Sequence, residues 1–542
     1  MDVRTQSLNR IAAVAAILVA VAHPRAADPP PKLAVMIVVD QMRADYVDRF
    51  RPDWTGGLKR LFAEGAWFTK AAYPYLTTVT CAGHATVATG AFPHVHGIFQ
   101  NTWWDRGSGT TTGCTDDAGA INIAYDGTAN GRQSANRLLV PTFADEMRRQ
   151  RSAHVVSVSL KERSAIMPSG HGGDAVTWLS TAVDGWVTSS AFAGAPVPEV
   201  KAFVDANPID ADFGKAWTLL LPKERYPEPD AAEGEAPPNG WTPLFPHVLT
   251  GTTNKPDEDF HAQWERSPYG DAYLGRFAAA LAASMRLGKH EGIDVLAVSF
   301  SSPDLIGHAY GPDSLEIHDT YARLDQTIGA LLTRLDVLVG RGQYVVALTA
   351  DHGVTPIPEQ LKAAGRDGGR IDPATIVDAI ERRARAALGP GTYVATVNTN
   401  DVYFAPEMYD RVATAPAVLA AVMKGIEEIP GIARVFRSED LRDAARATDP
   451  LMRAAALSYV PGRSGDLILA KKSGWMIATT GTTHGNATPE DQRVPIVFMG
   501  RGIRPGRYDR PVTPADIAPT LAVLCRITLP KAEGQALRTA IR

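Results

Sequence analysis

Four apolar runs stand out along the chain, and each ends in a polar cluster. Leu33–Val39 (LAVMIVV) runs into Asp40, and His154–Leu160 (HVVSVSL) runs into Lys161. Ile293–Phe300 (IDVLAVSF) runs into Ser301-Ser302-Pro303-Asp304, and Tyr344–Ala350 (YVVALTA) runs into Asp351-His352. Short, nearly unbroken apolar runs predict strands buried on both faces, as in a parallel sheet. Helical patterns such as PTFADEMRRQ and HDTYARLDQTIGALLTRLD lie between them. Strands alternating with helices predict a doubly wound α/β fold, with a mostly parallel sheet and helices on both faces. Ligands of such folds bind beyond the carboxyl ends of the strands. All four polar clusters fall at that edge, so one site built from distant segments is expected.

Two stretches fit the alternation poorly. Residues from about 165 to 285 are rich in Pro, Trp and Gly, and about 356–480 has its own mixed pattern. Both read as insertions capping the site. The chain returns to the core near THGNATPEDQRVPIVFMG and finishes with TPADIAPTLAVLC, whose Pro and Asp fit a helix start. At the other end, Arg4 and Arg10 precede an apolar run from Ile11 to Ala22, and Ala20-Val21-Ala22 offers a small-x-small cleavage site. This predicts a signal peptide over 1–22, a Pro-rich linker over 23–31 and one domain over 32–542. The run is too short to span a bilayer comfortably. Export, most simply to a periplasm, without a stable membrane anchor is the expectation.

The 542 residues carry a formal charge of only -4, with 21% charged and 45% hydrophobic side chains. That balance is ordinary for a globular protein and lacks the basic footprint of a nucleic-acid binder. Oligomeric state is not readable. The three cysteines are Cys81, Cys114 and Cys525. An odd count leaves at least one thiol free or paired between chains. Whether Cys114 and Cys525 pair stays open, because sequence separation says nothing about distance.

Candidate chemistry gathers at the strand ends. Asp304 and His308 are four apart, so on a helical turn they share a face and can grip one metal ion. Asp40, Asp351 and His352 end strands, and His484 sits in a Gly-flanked loop. Each alone reads as a cap or turn residue. Together, three carboxylates and three imidazoles suffice for two metal sites, and so much imidazole favours Zn²⁺ over Mg²⁺. Thr77–Gly90 (TTVTCAGHATVATG) reads as a short helix ending at Gly90, with Thr80 at its start. Thr80 is then either an N-cap or, beside a metal that lowers its pKa, a nucleophile.

The ordered set VVDQMRADY, TVTCAGHATVATG, HGIFQN, SPDLIGHAYGP, TADHG and THG resembles the alkaline phosphatase superfamily, and most of all its phosphodiesterase/nucleotide pyrophosphatase-like branch. The resemblance covers nearly the whole mature chain. It implies an alkaline-phosphatase-like fold and a threonine nucleophile in a T-x-x-[NG]-H element. That element falls on Thr80, Gly83 and His84. It further implies a phosphoryl-binding Asn at Asn101 and two Zn²⁺ per chain. One ion is assigned to Asp304, His308 and His484, the other to Asp40, Asp351 and His352 with Thr80. His84, His94 and His96 fall outside that ligand set and read as supporting or structural groups.

Lys161 and Arg163, in SLKER, would share a face of an extended segment. They resemble the phosphoryl-binding pair of the phosphate-irrepressible alkaline phosphatases. The implied activity is hydrolysis of small-molecule phosphate monoesters through a phospho-threonine intermediate. The alternative is a phosphodiesterase or nucleotide pyrophosphatase with the same two-zinc site. Sulfatases of this superfamily use a Cys in C-x-P-x-R. Cys81 lacks that Pro and Arg, so it reads as a small packed residue beside the nucleophile.

Overall fold

The computed structural model describes residues 29–180, 185–253 and 255–542. The signal peptide expected over 1–22, and the linker up to residue 28, lie outside the described residues. Ten strands form the main sheet. They are β1 (Leu33–Val39), β2 (Ala66–Ala71), β3 (Asn122–Ala124), β4 (Val155–Ser159), β5 (Ala175–Leu179), β6 (Trp186–Ser189), β7 (Asp294–Phe300), β8 (Tyr344–Thr349), β9 (Ile496–Gly500) and β10 (Gly506–Val512). Their spatial order is β10-β2-β9-β8-β1-β7-β4-β5-β6-β3. The central strands β8, β1, β7, β4 and β5 all run parallel. Val35, for example, lies opposite Leu296 on one side and Val346 on the other.

The pleat of β1 explains the two layers. Val35 and Ile37 point into one core with Leu324, Ile328 and Leu332 of the long helix Leu315–Leu335. Ala34, Met36 and Val38 point into a second core with Phe143, Met147, Ile517 and Leu521. Every residue of β1, β4, β7 and β8 is buried, which is why these runs lack polar alternation. This is the doubly wound, mostly parallel architecture expected.

Because the central strands are parallel, Asp40, Lys161, Asp304 and Asp351 all emerge at one edge. The antiparallel strand β9 starts at that same edge, with Ile496 opposite Thr349. The chain therefore reaches the edge just before β9, and His484 arrives there from the far side of the sequence.

Residues 165–285 are not wholly an insertion. β5 and β6 belong to the main sheet, and the helix Pro268–Ser284 packs Tyr273, Phe277 and Leu281 into its core. The short run AVTWL hid this, since its Trp- and Gly-rich surroundings obscure a five-residue strand. Within 356–480, strands 394–398, 401–404, 467–471 and 432–437 form an antiparallel sheet in that spatial order. Helices Pro373–Leu388 and Pro416–Glu427 cover it around Ile376, Ile380, Val402, Val422 and Leu469. No helix among the described residues is long and apolar enough to cross a membrane.

Candidate active site

Three helices begin at the carboxyl edge: α1 (Thr80–Thr89), α2 (Glu162–Ser169) and α3 (Ser302–Tyr310). Thr80 is the first residue of α1. The cap position belongs to extended Val79, which makes no side-chain capping bond, so the Thr80 hydroxyl is not spent on capping. Gly90 closes the helix in the left-handed region at φ 70°. Gly83 lets α1 approach the end of β8, because a Cβ there would lie 2.1 Å from the Asp351 carbonyl oxygen. The approach leaves Thr80 Oγ1 3.3 Å from His352 Nε2.

The three carboxylates and three imidazoles converge. His352 Nε2 lies 3.4 Å from both Asp40 Oδ1 and Asp351 Oδ2. Asp304 Oδ1 lies 3.2 Å from His308 Nε2 and 3.7 Å from His484 Nε2. The rings of His352 and His484 stack with centroids 3.6 Å apart. All three histidines meet a backbone carbonyl through Nδ1: His352 at Gly353 O (2.9 Å), His308 at Thr482 O (2.7 Å) and His484 at Thr78 O (2.8 Å). A carbonyl only accepts, so Nδ1 carries the proton and the Nε2 lone pair faces the carboxylates. That is the arrangement in which outer hydrogen bonds orient metal-binding histidines.

Two clusters have their ligand atoms within 4.8 Å of one another: Asp40 with Asp351 and His352, and Asp304 with His352 and His484. Asp40 Oδ1 and Asp351 Oδ2 are buried with no hydrogen-bond partner. A buried, unsatisfied carboxylate oxygen is costly unless a cation meets it. The donor set therefore fits a divalent ion of borderline softness.

Burial is the largest influence on all these groups. It pushes the Asp40 carboxyl up, helped by the like charges of Asp304 and Asp351. It pushes His352 and His484 down, keeping both neutral. Against burial, the Lys161 ammonium holds Asp304 well below the usual carboxylate range, and the adjacent His84 ring lowers Asp351. Such a concentration of displaced groups marks a functional site.

Lys161 and Arg163 both reach this edge, but not along an extended face. Lys161 is the extended cap of α2, whereas Arg163 already lies in its first turn. The Lys161 ammonium bonds Asp40 Oδ2 at 2.6 Å and Asp304 Oδ2 at 2.5 Å, tying the two clusters together. Arg163 pairs with Glu162 at 3.1 Å and keeps a buried Nε–H without a partner. Asn101 is fixed by its side-chain oxygen, which accepts from the Cys81 backbone N–H at 2.8 Å. Its amide NH₂ stays available.

Cys81 is not a free packed residue. It forms a disulfide with Cys114, and Cys525 is the buried free thiol. The bridge joins the second residue of α1 to the hairpin that follows Asn101, which only the fold brings together. Two supporting residues also emerge. Gln41, at φ 68°, donates its backbone N–H to Asp351 Oδ1 (3.1 Å) and its side-chain amide to Asp304 Oδ1 (2.6 Å). No sequence signal marked it. His84 lies 3.2 Å from Asp351 Oδ2, 2.9 Å from Thr80 O and 2.7 Å from Ser299 Oγ, so it braces α1 against β7 and β8. His96 is buried against Thr86, and His94 pairs with Glu533 away from the site.

A sequence model of the type I phosphodiesterase/nucleotide pyrophosphatase family matches residues 34–493. The chain belongs to this family. Among its relatives is alkaline phosphatase PhoV of Synechococcus elongatus, 32% identical over 515 residues, or 92% of this chain and 91% of that one. Alkaline phosphatase PafA of Elizabethkingia meningoseptica is 30% identical over 522 residues, 93% of each chain. The crystal structure of wild-type PafA superposes with a TM-score of 0.86 at 28% identity, covering 95% of this chain and all of that one. The alkaline-phosphatase-like fold therefore extends across the family match and beyond it.

Proposed function

We propose that this protein is an exported, zinc-dependent alkaline phosphatase that hydrolyses small-molecule phosphate monoesters, with Thr80 as nucleophile. The observation that carries the reading is the placement of a buried threonine hydroxyl, not spent on capping, at a helix start, 3.3 Å from His352 Nε2 amid paired carboxylates. The alkaline phosphatase names of relatives matched over nearly their whole length support the substrate class.

Asp40, Asp351 and His352 would hold one zinc ion, and Asp304, His308 and His484 the other. Bound zinc supplies Lewis acidity, which favours ionised hydroxyl and water and neutralises charge on phosphoryl oxygens. Thr80 Oγ1 attacks phosphorus in line as the ester P–O bond breaks, and the alcohol leaves with a proton. Water then cleaves the phospho-threonine, restoring Thr80 and releasing phosphate. The α1 N-terminus favours the anion through its backbone N–H groups and dipole. Asn101 donates its amide NH₂ to a phosphoryl oxygen, and its carbonyl end stays anchored on Cys81. Lys161 offsets carboxylate charge between the two clusters and offers a donor to the phosphoryl group. Arg163 supplies a planar fork suited to two of the three free oxygens of a monoester, leaving the third to the other groups of the site. A diester has only two free oxygens and one negative charge fewer.

The test is an acid quench during turnover of an aryl phosphate. A phosphate adduct on the Thr80 peptide is expected, and Thr80→Ala should lose the adduct and at least about three decades of rate. Thr80→Ala turning over as wild type would end this reading.

A further inference from the structure

The segment Asn398–Asp401, at the turn between the first two strands of the small sheet, bonds to residues that adjoin the main site along the chain. Asn398 Nδ2 donates to Thr102 O at 2.9 Å. Asn400 Nδ2 donates to Gly485 O at 2.8 Å and to Thr77 Oγ1 at 3.2 Å. Gln100 Nε2 donates to Asp401 Oδ2 at 3.0 Å. These partners are next to site residues along the chain: Gly485 follows His484, Gln100 and Thr102 flank Asn101, and Thr77 leads into Thr80. Asn400, Asp401, Thr77 and Gln100 are all buried.

The orientation of the Asn400 amide follows from its neighbours. Lys471 donates its ammonium to Asn400 Oδ1, and an ammonium cannot accept. The opposite end of the amide is therefore NH₂, facing two acceptors on two different loops. The turn is itself held in place. Leu469 N donates to Asn400 O at 2.7 Å, and Gly465 N donates to Asp401 Oδ1 at 2.7 Å. Apolar packing alone would dock the small sheet without choosing an angle, because it is non-directional. Buried, satisfied hydrogen bonds are directional and fix one arrangement.

We propose that Asn398–Asp401 is a positioning element, with Asn400 at its centre, that sets the His484 loop, the Thr80 helix and the Asn101 segment relative to one another. The proposal rests on the site assignment above. Asn400 and Gln100 touch no reacting atom in this account and act through the residues they hold.

Two variants test it. Asn400→Asp keeps the shape and the Lys471 partner but removes both donors. Gln100→Met keeps the volume and removes the bond to Asp401. For Asn400→Asp, kcat on an aryl phosphate should fall about 10- to 100-fold, the range that a misplacement of about 1 Å produces. Hydrogen exchange should quicken in residues 77–84 and 482–488, with Leu315–Leu335 unchanged. Gln100→Met should cost about tenfold in the wild-type background and less than about twofold in an Asn101→Ala background, as expected when one residue acts through another. The proposal is overturned if Asn400→Asp keeps kcat within twofold, if exchange quickens evenly across the chain, or if Gln100→Met costs the same factor in both backgrounds. A wild type without phosphatase activity would undo the site assignment, and the exchange pattern would still decide whether Asn400 holds the two loops.

Discussion

Replacing both members of the Cys81–Cys114 bridge with alanine separates what the disulfide does for stability from what it does for Asn101. The bridge spans 33 residues. On the chain-entropy model, closing a loop of that length stabilises the fold by about 3–4 kcal/mol at 25 °C. The effect on rate should be smaller. The Cys81 N–H to Asn101 Oδ1 bond and the Cys114 N–H to Asn101 O bond, both 2.8 Å, do not need the sulfurs. Their geometry only loosens. A loss of about 1 kcal/mol from a contact to a charged phosphoryl group, itself worth roughly 1.5–3 kcal/mol, gives about a fivefold fall in kcat/KM. Denaturant unfolding followed by tryptophan fluorescence measures the first quantity, and aryl phosphate kinetics the second. Alkylation of the unfolded, unreduced wild type should tag Cys525 alone. Three tags, or a stability loss under about 1 kcal/mol, would refute the reasoning.

Three shorter predictions follow from the same geometry. Both ring nitrogens of His318 face carboxylates, Glu228 at 2.9 Å and Asp53 at 3.0 Å, so the ring is held as an imidazolium. Burial opposes this, but those bonds outweigh it and raise the pKa. The resulting stability is full below the ordinary value near 6.5 and is lost as pH rises through the higher folded-state value. Melting temperature should therefore fall with rising pH more steeply in wild type than in His318→Gln, and parallel curves would contradict this. Gly83→Ala puts a methyl group 2.1 Å from a backbone oxygen at the end of β8. It should cost about 1–3 kcal/mol in denaturant unfolding and about 100-fold or more in kcat/KM, and near-wild-type kinetics would show that α1 can shift freely. A zinc chelator should abolish activity and lower the melting temperature, with Zn²⁺ restoring both and Mg²⁺ restoring neither. Full activity in the chelator would remove metal from the account.

How much of this was legible depended on where each residue stands relative to a strand. Asp40 and Asp351-His352 follow buried apolar runs directly, and Asp304 and His308 share a helical face, so local pattern exposed them. His484 is legible only as a candidate in a Gly-flanked loop until the resemblance gives it a metal, and Asn101 comes through the resemblance alone. The first arrives ahead of an antiparallel strand, and the second is fixed by a bond to Cys81 that only the folded chain brings together. The pairing of Cys81 with Cys114 was unreadable for the same reason. β5 and β6 were misplaced because a strand of five residues in Trp- and Gly-rich surroundings carries little periodicity. The contacts of Lys161 with Asp40 and Asp304, and of Asn400 with two loops, depend on long-range packing and leave no trace in spacing.

The central claim is a phosphate monoesterase built on Thr80, with Arg163 reading the extra free oxygen. The most direct test is kcat/KM of the zinc-loaded protein on an aryl phosphate monoester and its matched diester, for wild type and Arg163→Ala. One charge-assisted contact is worth roughly 1.5–3 kcal/mol, so the variant should lose about one to two decades on the monoester and little on the diester. A diester preference untouched by Arg163→Ala would contradict the claim.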